Sequence, residues 1–211
     1  MSSLIIEYKE YEIKIYMDEY PLNPRKEFDN IGKLVCFHNR YDLGDKTDLK
    51  ASSFQGWQHL EKYLIDIEKA AVILPIYLMD HSGITIRTNT HDFRMADSVG
   101  WDWGQIGFIY LDRATILKEW GNKILTQKVR QKAIDYLLAE IEQYDDYLTG
   151  NVYGYNITKL DDDEILEGCG GFYGDYNKSG LLDDAKGCID CMIAQTEKDK
   201  LANIFKSNPL N

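Results

Sequence analysis

A chain of 211 residues carrying 35 Asp/Glu against 24 Lys/Arg has room for one sizeable core, and its formal charge of −11 excludes a general nucleic-acid-binding platform. Apolar residues make up 44%, which argues against global disorder, and no run of roughly 18 apolar residues predicts a membrane-spanning helix. The first residues, Met1 to Tyr8, lack a basic segment followed by an apolar one, so no secretory leader is expected, and the few cysteines fit a reduced, cytosolic setting.

In chain order, Leu4 to Met17 reads as one strand or a pair. Tyr11, Ile13 and Ile15 alternate with Glu12, Lys14 and Tyr16, the period of a half-buried strand. Pro21 and Pro24 then break the chain. Residues 32–38 form a short apolar run between turn residues, a predicted buried strand, and Asn39 to Lys46 is a polar loop. Ser53 is a candidate cap for a helix reaching about Ala70, with Trp57, Leu60, Leu64 and Ile67 on one face. The apolar run 71–79 predicts a strand, and Pro75 within it argues for an edge position or a bulge. A turn at His81-Ser82-Gly83 leads to an alternating strand over 84–88, and 104–111 is a further strand.

Residues 114–121 read as a short helix ending at Gly121. Thr126 caps the longest predicted helix, which runs to Thr149 with Gly150 as its stop; Val129, Ala133, Leu137, Ile141, Tyr144 and Leu148 form its apolar stripe. A strand over 152–158, a partner over 165–173 and a helix over about 180–206 complete the chain, with Asp161 to Glu164 at the hairpin tip. This order predicts an α+β fold: one antiparallel sheet against the long helix, as a single domain over 1–211 in which 175–211 forms a peripheral helical extension.

The charge is uneven. From Asp135 to Cys191 there are 14 acidic and 3 basic residues, a local balance equal to that of the whole chain. Tyrosines are interleaved with them, and Tyr gives large contact area at low entropic cost. Asp145, Asp146, Asp161, Asp162, Asp163, Glu164, Tyr153 and Tyr155 are therefore the candidate partner-binding residues, suited to a basic surface rather than to nucleic acid.

Two other runs stand out. Asp80-His81-Ser82 holds the residue types of a hydrolytic triad, but adjacent residues cannot converge; the bland reading is a strand end with satisfied polar groups, the sharper one pairs His81 with a distant carboxylate. Trp101-Asp102-Trp103 is either a loop pinned by Asp102 or a pocket with stacking walls. Cys188-Ile-Asp-Cys191 lacks the second ligand pair that a zinc site needs, and Asp190 between the thiols disfavours thiolates, so Cys169, Cys188 and Cys191 read as small hydrophobes. No phosphate-binding, zinc-protease or nucleophile-elbow motif occurs, and neither a metal nor a cofactor is expected.

Four blocks taken together resemble a family of small proteins carried by bacteriophages and integrative elements: Gly32 to Lys46, Leu74 to Ile86, Trp101 to Tyr110 and Tyr144 to Gly154. The resemblance covers about residues 20–175; the chain departs from it at a longer polar insertion over Asn89 to Gly100 and from about 178 onward. It supplies no catalytic residues. It implies a phage accessory gene, a class that often encodes inhibitors of host defence, including anti-CRISPR and anti-restriction proteins. The leading expectation is thus a non-enzymatic protein in the host bacterial cytoplasm that occludes a basic host defence protein. The alternative is a small-molecule or nucleotide-processing enzyme with a site near Asp80, His81 and Trp101 to Trp103. A structural or regulatory phage protein is the third reading.

Overall fold

The computed structural model describes residues 4–160 and 162–207. The fold is α+β, with two four-stranded sheets whose neighbouring strands all run antiparallel. All seven segments predicted as strands contain strands, but they divide between the two sheets instead of sharing one. The chain correspondingly forms two compact units. One, here the split unit, joins Met1–Pro21 to Gly150–Asn211; the other, the central unit, is Leu22–Thr149.

In the split unit, strands β1 (Leu4–Tyr8) and β2 (Tyr11–Met17) form a hairpin turned by Lys9, whose φ is 57°. β2 pairs with β7 (Val152–Lys159), and β7 with β8 (Glu167–Tyr173), so the order is β1-β2-β7-β8. The period-2 face read from sequence is the buried one: Ile13, Ile15, Tyr155 and Ile157 pack against Leu181, Ala185 and Ile189 of helix α6 (Leu181–Ser207). Where a peripheral extension was expected, the first turns of α6 contribute core. Each such fully buried aliphatic chain contributes about 1.5–3 kcal/mol of transfer free energy.

The central unit has the order β3-β6-β4-β5, made of β3 (Lys33–Cys36), β4 (Ala70–Asp80), β5 (Ile84–Arg87) and β6 (Trp103–Asp112). Its sheet is covered on both faces, which explains the continuous apolar run of β6. Ile109 and Leu111 face the long helix α5 (Gln127–Thr149), and Phe108 and Tyr110 face α2 (Trp57–Asp66). The stripe residues Val129, Ala133, Leu137, Ile141 and Tyr144 of α5 are all buried. Gly150 follows α5 with φ 72°, the left-handed conformation that ends a helix.

Pro75 lies in a strand with neighbours on both sides, yet β5 pairs only from Tyr77 onward. At Pro75 itself β4 is locally an edge, and a register shift follows between Ile76 and Tyr77, so both devices expected of the proline are present. Helix α2 starts at Trp57, after Gly56, and not at Ser53, which belongs to a short 3-10 turn. Two short helices escaped the sequence reading: α1 (Pro24–Glu27), capped by Asn23 with Pro24 at its first position, and α3 (His91–Ala96) in the polar insertion. The remaining helix, α4 (Arg113–Glu119), is capped by Asp112, which accepts from Thr115 N at 2.8 Å.

Candidate functional site

The acidic stretch is divided between the two units. Its α5 portion belongs to the central unit, and two of those carboxylates are buried there. Glu140 accepts from Arg25 Nη1 at 2.8 Å and from the backbone N–H groups of Ile31 (3.0 Å) and Gly32 (3.1 Å). Asp145 accepts from Thr85 Oγ1 at 2.6 Å, from Ile86 N at 2.7 Å and from Arg87 Nη1. Buried carboxylates need such partners, because desolvation otherwise drives them out of the folded state. Asp145 is therefore a pin between α5 and β5, not an exposed partner contact. Tyr155 is likewise core: it is 3% exposed and its hydroxyl donates to Asp184 Oδ2 at 2.6 Å. Tyr153 is half-buried and packs edge-on against Tyr176 at 5.6 Å, and Asp146 is half-buried on α5.

What remains of the predicted acidic site is the β7–β8 loop. Asp162, Asp163 and Glu164 are exposed there, and Asp161 lies outside the described residues. Asp162 Oδ1 accepts from Glu164 N at 3.0 Å, which folds the tip. Asp163 reaches Lys14 Nζ at 2.9 Å, and that ammonium holds its carboxyl below the usual carboxylate range.

The second candidate site is in the central unit, where the C-terminal end of β4 meets the start of β6. His81 Nδ1 stands 3.0 Å from Asp102 Oδ2, so the distant-carboxylate reading of His81 holds in the structure. Asp80 Oδ2 accepts from Arg40 Nη2 at 2.7 Å and from Tyr41 OH at 3.2 Å. Backbone pairing joins the two acids, since Asp80 N donates to Asp102 O at 2.8 Å. His38 stacks on Tyr41 at 5.1 Å, and its Nδ1 accepts from Arg40 N at 3.3 Å. A cavity of about 240 Å³ lies here, and His38, Arg40, Asp80, Trp101, Asp102 and Trp103 are among its lining residues.

The loop that carries Trp101 is pinned, but not by Asp102 as expected. Asp97 does this, accepting from the N–H groups of Val99 (3.0 Å), Gly100 (3.1 Å) and Asp102 (3.0 Å), and these donors lower its carboxyl from the usual range. Trp103 donates its indole N–H to Asp97 O at 2.8 Å and packs against Tyr77 and Phe93, so it is a wall. Trp101 stays 85% exposed. Sequence reasoning missed His38, which it read as the end of a buried strand, and Arg40 and Tyr41, which it read as a polar loop. The Asp97-Ser-Val-Gly100 turn pattern was a usable signal for the pin.

All four cysteines are free, and among the described residues no three His, Cys, Asp or Glu side chains form a group that could hold a metal ion. Burial, with Glu167 and Asp184 nearby, pushes the Cys188 thiol up, which disfavours the thiolate that metal ligation or exchange requires. Purified protein is expected to contain no stoichiometric zinc by elemental analysis, with a melting temperature indifferent to chelator. One tightly bound zinc per chain would assign these thiols a metal role instead, because structural zinc contributes directly to folding.

No protein-family model matches the chain, and neither a curated protein nor a solved structure matches it. No described helix is long and apolar enough to cross a membrane.

Proposed function

We propose that this is a non-enzymatic accessory protein of bacteriophage or mobile-element type, acting in the host bacterial cytoplasm by occupying the basic surface of a host defence protein. One observation carries this reading: the split unit holds 16 acidic residues against 8 basic ones, and its β7–β8 loop presents Asp162, Asp163 and Glu164 to solvent. Carboxylates at such a tip stand in for phosphates on the partner's Lys and Arg, steering association and occluding nucleic acid. The resemblance to phage-borne proteins supports the context, and anti-CRISPR or anti-restriction inhibition is the class of activity it suggests.

The test is capture of a partner from host lysate at low and high salt, with wild type and with Asp162, Asp163 and Glu164 all changed to Lys. Capture should weaken steeply with salt, and the triple reversal should lower the association rate by about tenfold or more. Stability should change by no more than about 0.5 kcal/mol per site, since the Asp163–Lys14 pair is exposed. Reversal of the exposed Glu7 and Glu10 is the matched control and should matter far less. Full capture and inhibition by the triple variant would make the tip a solubility device and move the interface elsewhere.

A further inference from the structure

The cavity at the β4–β6 end belongs to the central unit and does not depend on the acidic tip for its chemistry. Its acids already have partners: Arg40 Nη2 pairs with Asp80 at 2.7 Å, and His81 Nδ1 stands 3.0 Å from Asp102. In both acids the pairing uses Oδ2, so each Oδ1 is without a protein partner among the described residues. Two charged acceptors therefore border a space of about 240 Å³. Donors border it too. His38 spends Nδ1 as an acceptor toward Arg40 N, which leaves the neutral ring's proton on Nε2, and Arg40 gives one guanidinium nitrogen to Asp80 while keeping its others.

This mixture selects among ligands. A phosphate would meet two carboxylates with no unmatched cation, and like charges in a cleft are costly. A bare ammonium would leave the Arg40 and His38 donors facing another donor. A hydroxyl both donates and accepts, so a pair of neighbouring hydroxyls satisfies both sets. The volume lies below the roughly 300–1,000 Å³ of sites that take drug-sized ligands, which limits the occupant to about one ring within the cavity itself.

Trp101 supplies the remaining element. Its indole is 85% exposed at the cavity wall, on a loop fixed by the three N–H bonds to Asp97 and by the Trp103 indole bond. A flat apolar face held ready by its loop costs little ordering when a ligand stacks on it. We infer that the cavity bounded by Arg40, Asp80, Trp101 and Asp102 binds a neutral cyclic vicinal diol bearing a flat face, the chemistry shared by nucleosides and pyranose sugars. The diol hydroxyls bond the free carboxylate oxygens and the Arg40 and His38 donors. The base, or the apolar face of the pyranose, stacks on Trp101.

The experiment is ligand-observed saturation-transfer NMR with titration calorimetry on the full chain. One arm uses adenosine, uridine and 2′-deoxyadenosine; the other uses glucose, galactose and tetrahydropyran-2-methanol, which keeps the ring without a vicinal diol; adenosine monophosphate is the charged control. One arm should bind, and its member without the vicinal diol should bind at least about tenfold more weakly, because the polar groups it covers are then left unpaired. The monophosphate should bind no better than adenosine. Trp101→Ala should lower affinity about ten- to hundred-fold with the fold unchanged by circular dichroism, Trp101→Phe should retain most of it, and Asp102→Asn should weaken it. Neither arm binding up to about 10 mM would overturn the inference. Binding indifferent to Trp101→Ala would do so as well, and tighter binding of the monophosphate would make the cavity an anion site.

Discussion

Glu140→Ala is expected to destabilise the central unit by about 3–5 kcal/mol, read as a fall in the urea midpoint at constant slope. The substitution removes the acceptor of two backbone N–H groups and strands part of a guanidinium that is itself buried. Arg25 has a side-chain exposure of 4% and Glu140 one of 6%, so water cannot readily replace what is lost. Arg25 keeps its two bonds to Asp45, at 2.6 and 3.2 Å, and one to Gly32 O at 2.8 Å, which is why the loss stops short of unfolding a typical domain of 5–15 kcal/mol. Glu140→Gln keeps one oxygen for the Ile31 and Gly32 N–H groups but turns a donor toward Arg25, so an intermediate loss of about 1–3 kcal/mol is expected. That variant remains measurable if Glu140→Ala fails to fold. A loss below about 1 kcal/mol for Glu140→Ala would mean that Arg25 transfers wholly to Asp45 and that the anchor between α5 and the 31–32 segment is dispensable.

Gly107→Ala is expected to cost at least about 3 kcal/mol and to disturb the β4–β6 cavity with it. A Cβ on Gly107 would stand 1.9 Å from the Val35 carbonyl oxygen and 2.8 Å from Cys36 Cα. Both are backbone atoms of the paired strand, so no rotamer change relieves the clash. β3 would have to part from β6, and β3 is only four residues long. The segment it leads into carries His38, Arg40 and Tyr41, so ligand binding should fall along with stability. Gly104→Ala is the control in the same strand, because nothing lies within 4 Å of its Cβ position, and it should change stability by no more than about 0.5 kcal/mol. Equal stability of the two variants by thermal and urea unfolding would show that the β3–β6 contact relaxes cheaply.

Periodicity made most of the elements legible. The stripe of α5 and the alternation of β2 are local properties, because side-chain direction repeats with the backbone geometry that the same residues adopt. The α+β class, the loop at 162–164 and the end of α5 at Gly150 follow from such local rules. The grouping of strands does not. β2 finds β7 from the opposite end of the chain, with Tyr11 opposite Lys159, and β3 finds β6, and nothing within either strand names its partner. Two sheets instead of one was therefore a tertiary outcome.

The sites divide in the same way. Sequence alone located the acids, and it could not sort Asp145 from Asp162, because an ionised carboxylate is the same residue type in solvent and in a core. The Thr85 hydroxyl and the Ile86 N–H, brought to Asp145 by the packing of β5 on α5, decide that it is buried. Likewise Asp80 and His81 are neighbours in sequence, yet they serve different partners, since β4 ends at Asp80 and His81 opens the turn, where its N–H donates to Gly83 O at 3.0 Å. Asp80 takes Arg40 and Tyr41, while His81 takes Asp102 from the adjacent strand's entry loop. The chain by itself determined which residues could ionise, stack or alternate. Only the tertiary structure decided which of them meet, because the free energy of a buried charge or an exposed indole is set by neighbours that are distant in sequence.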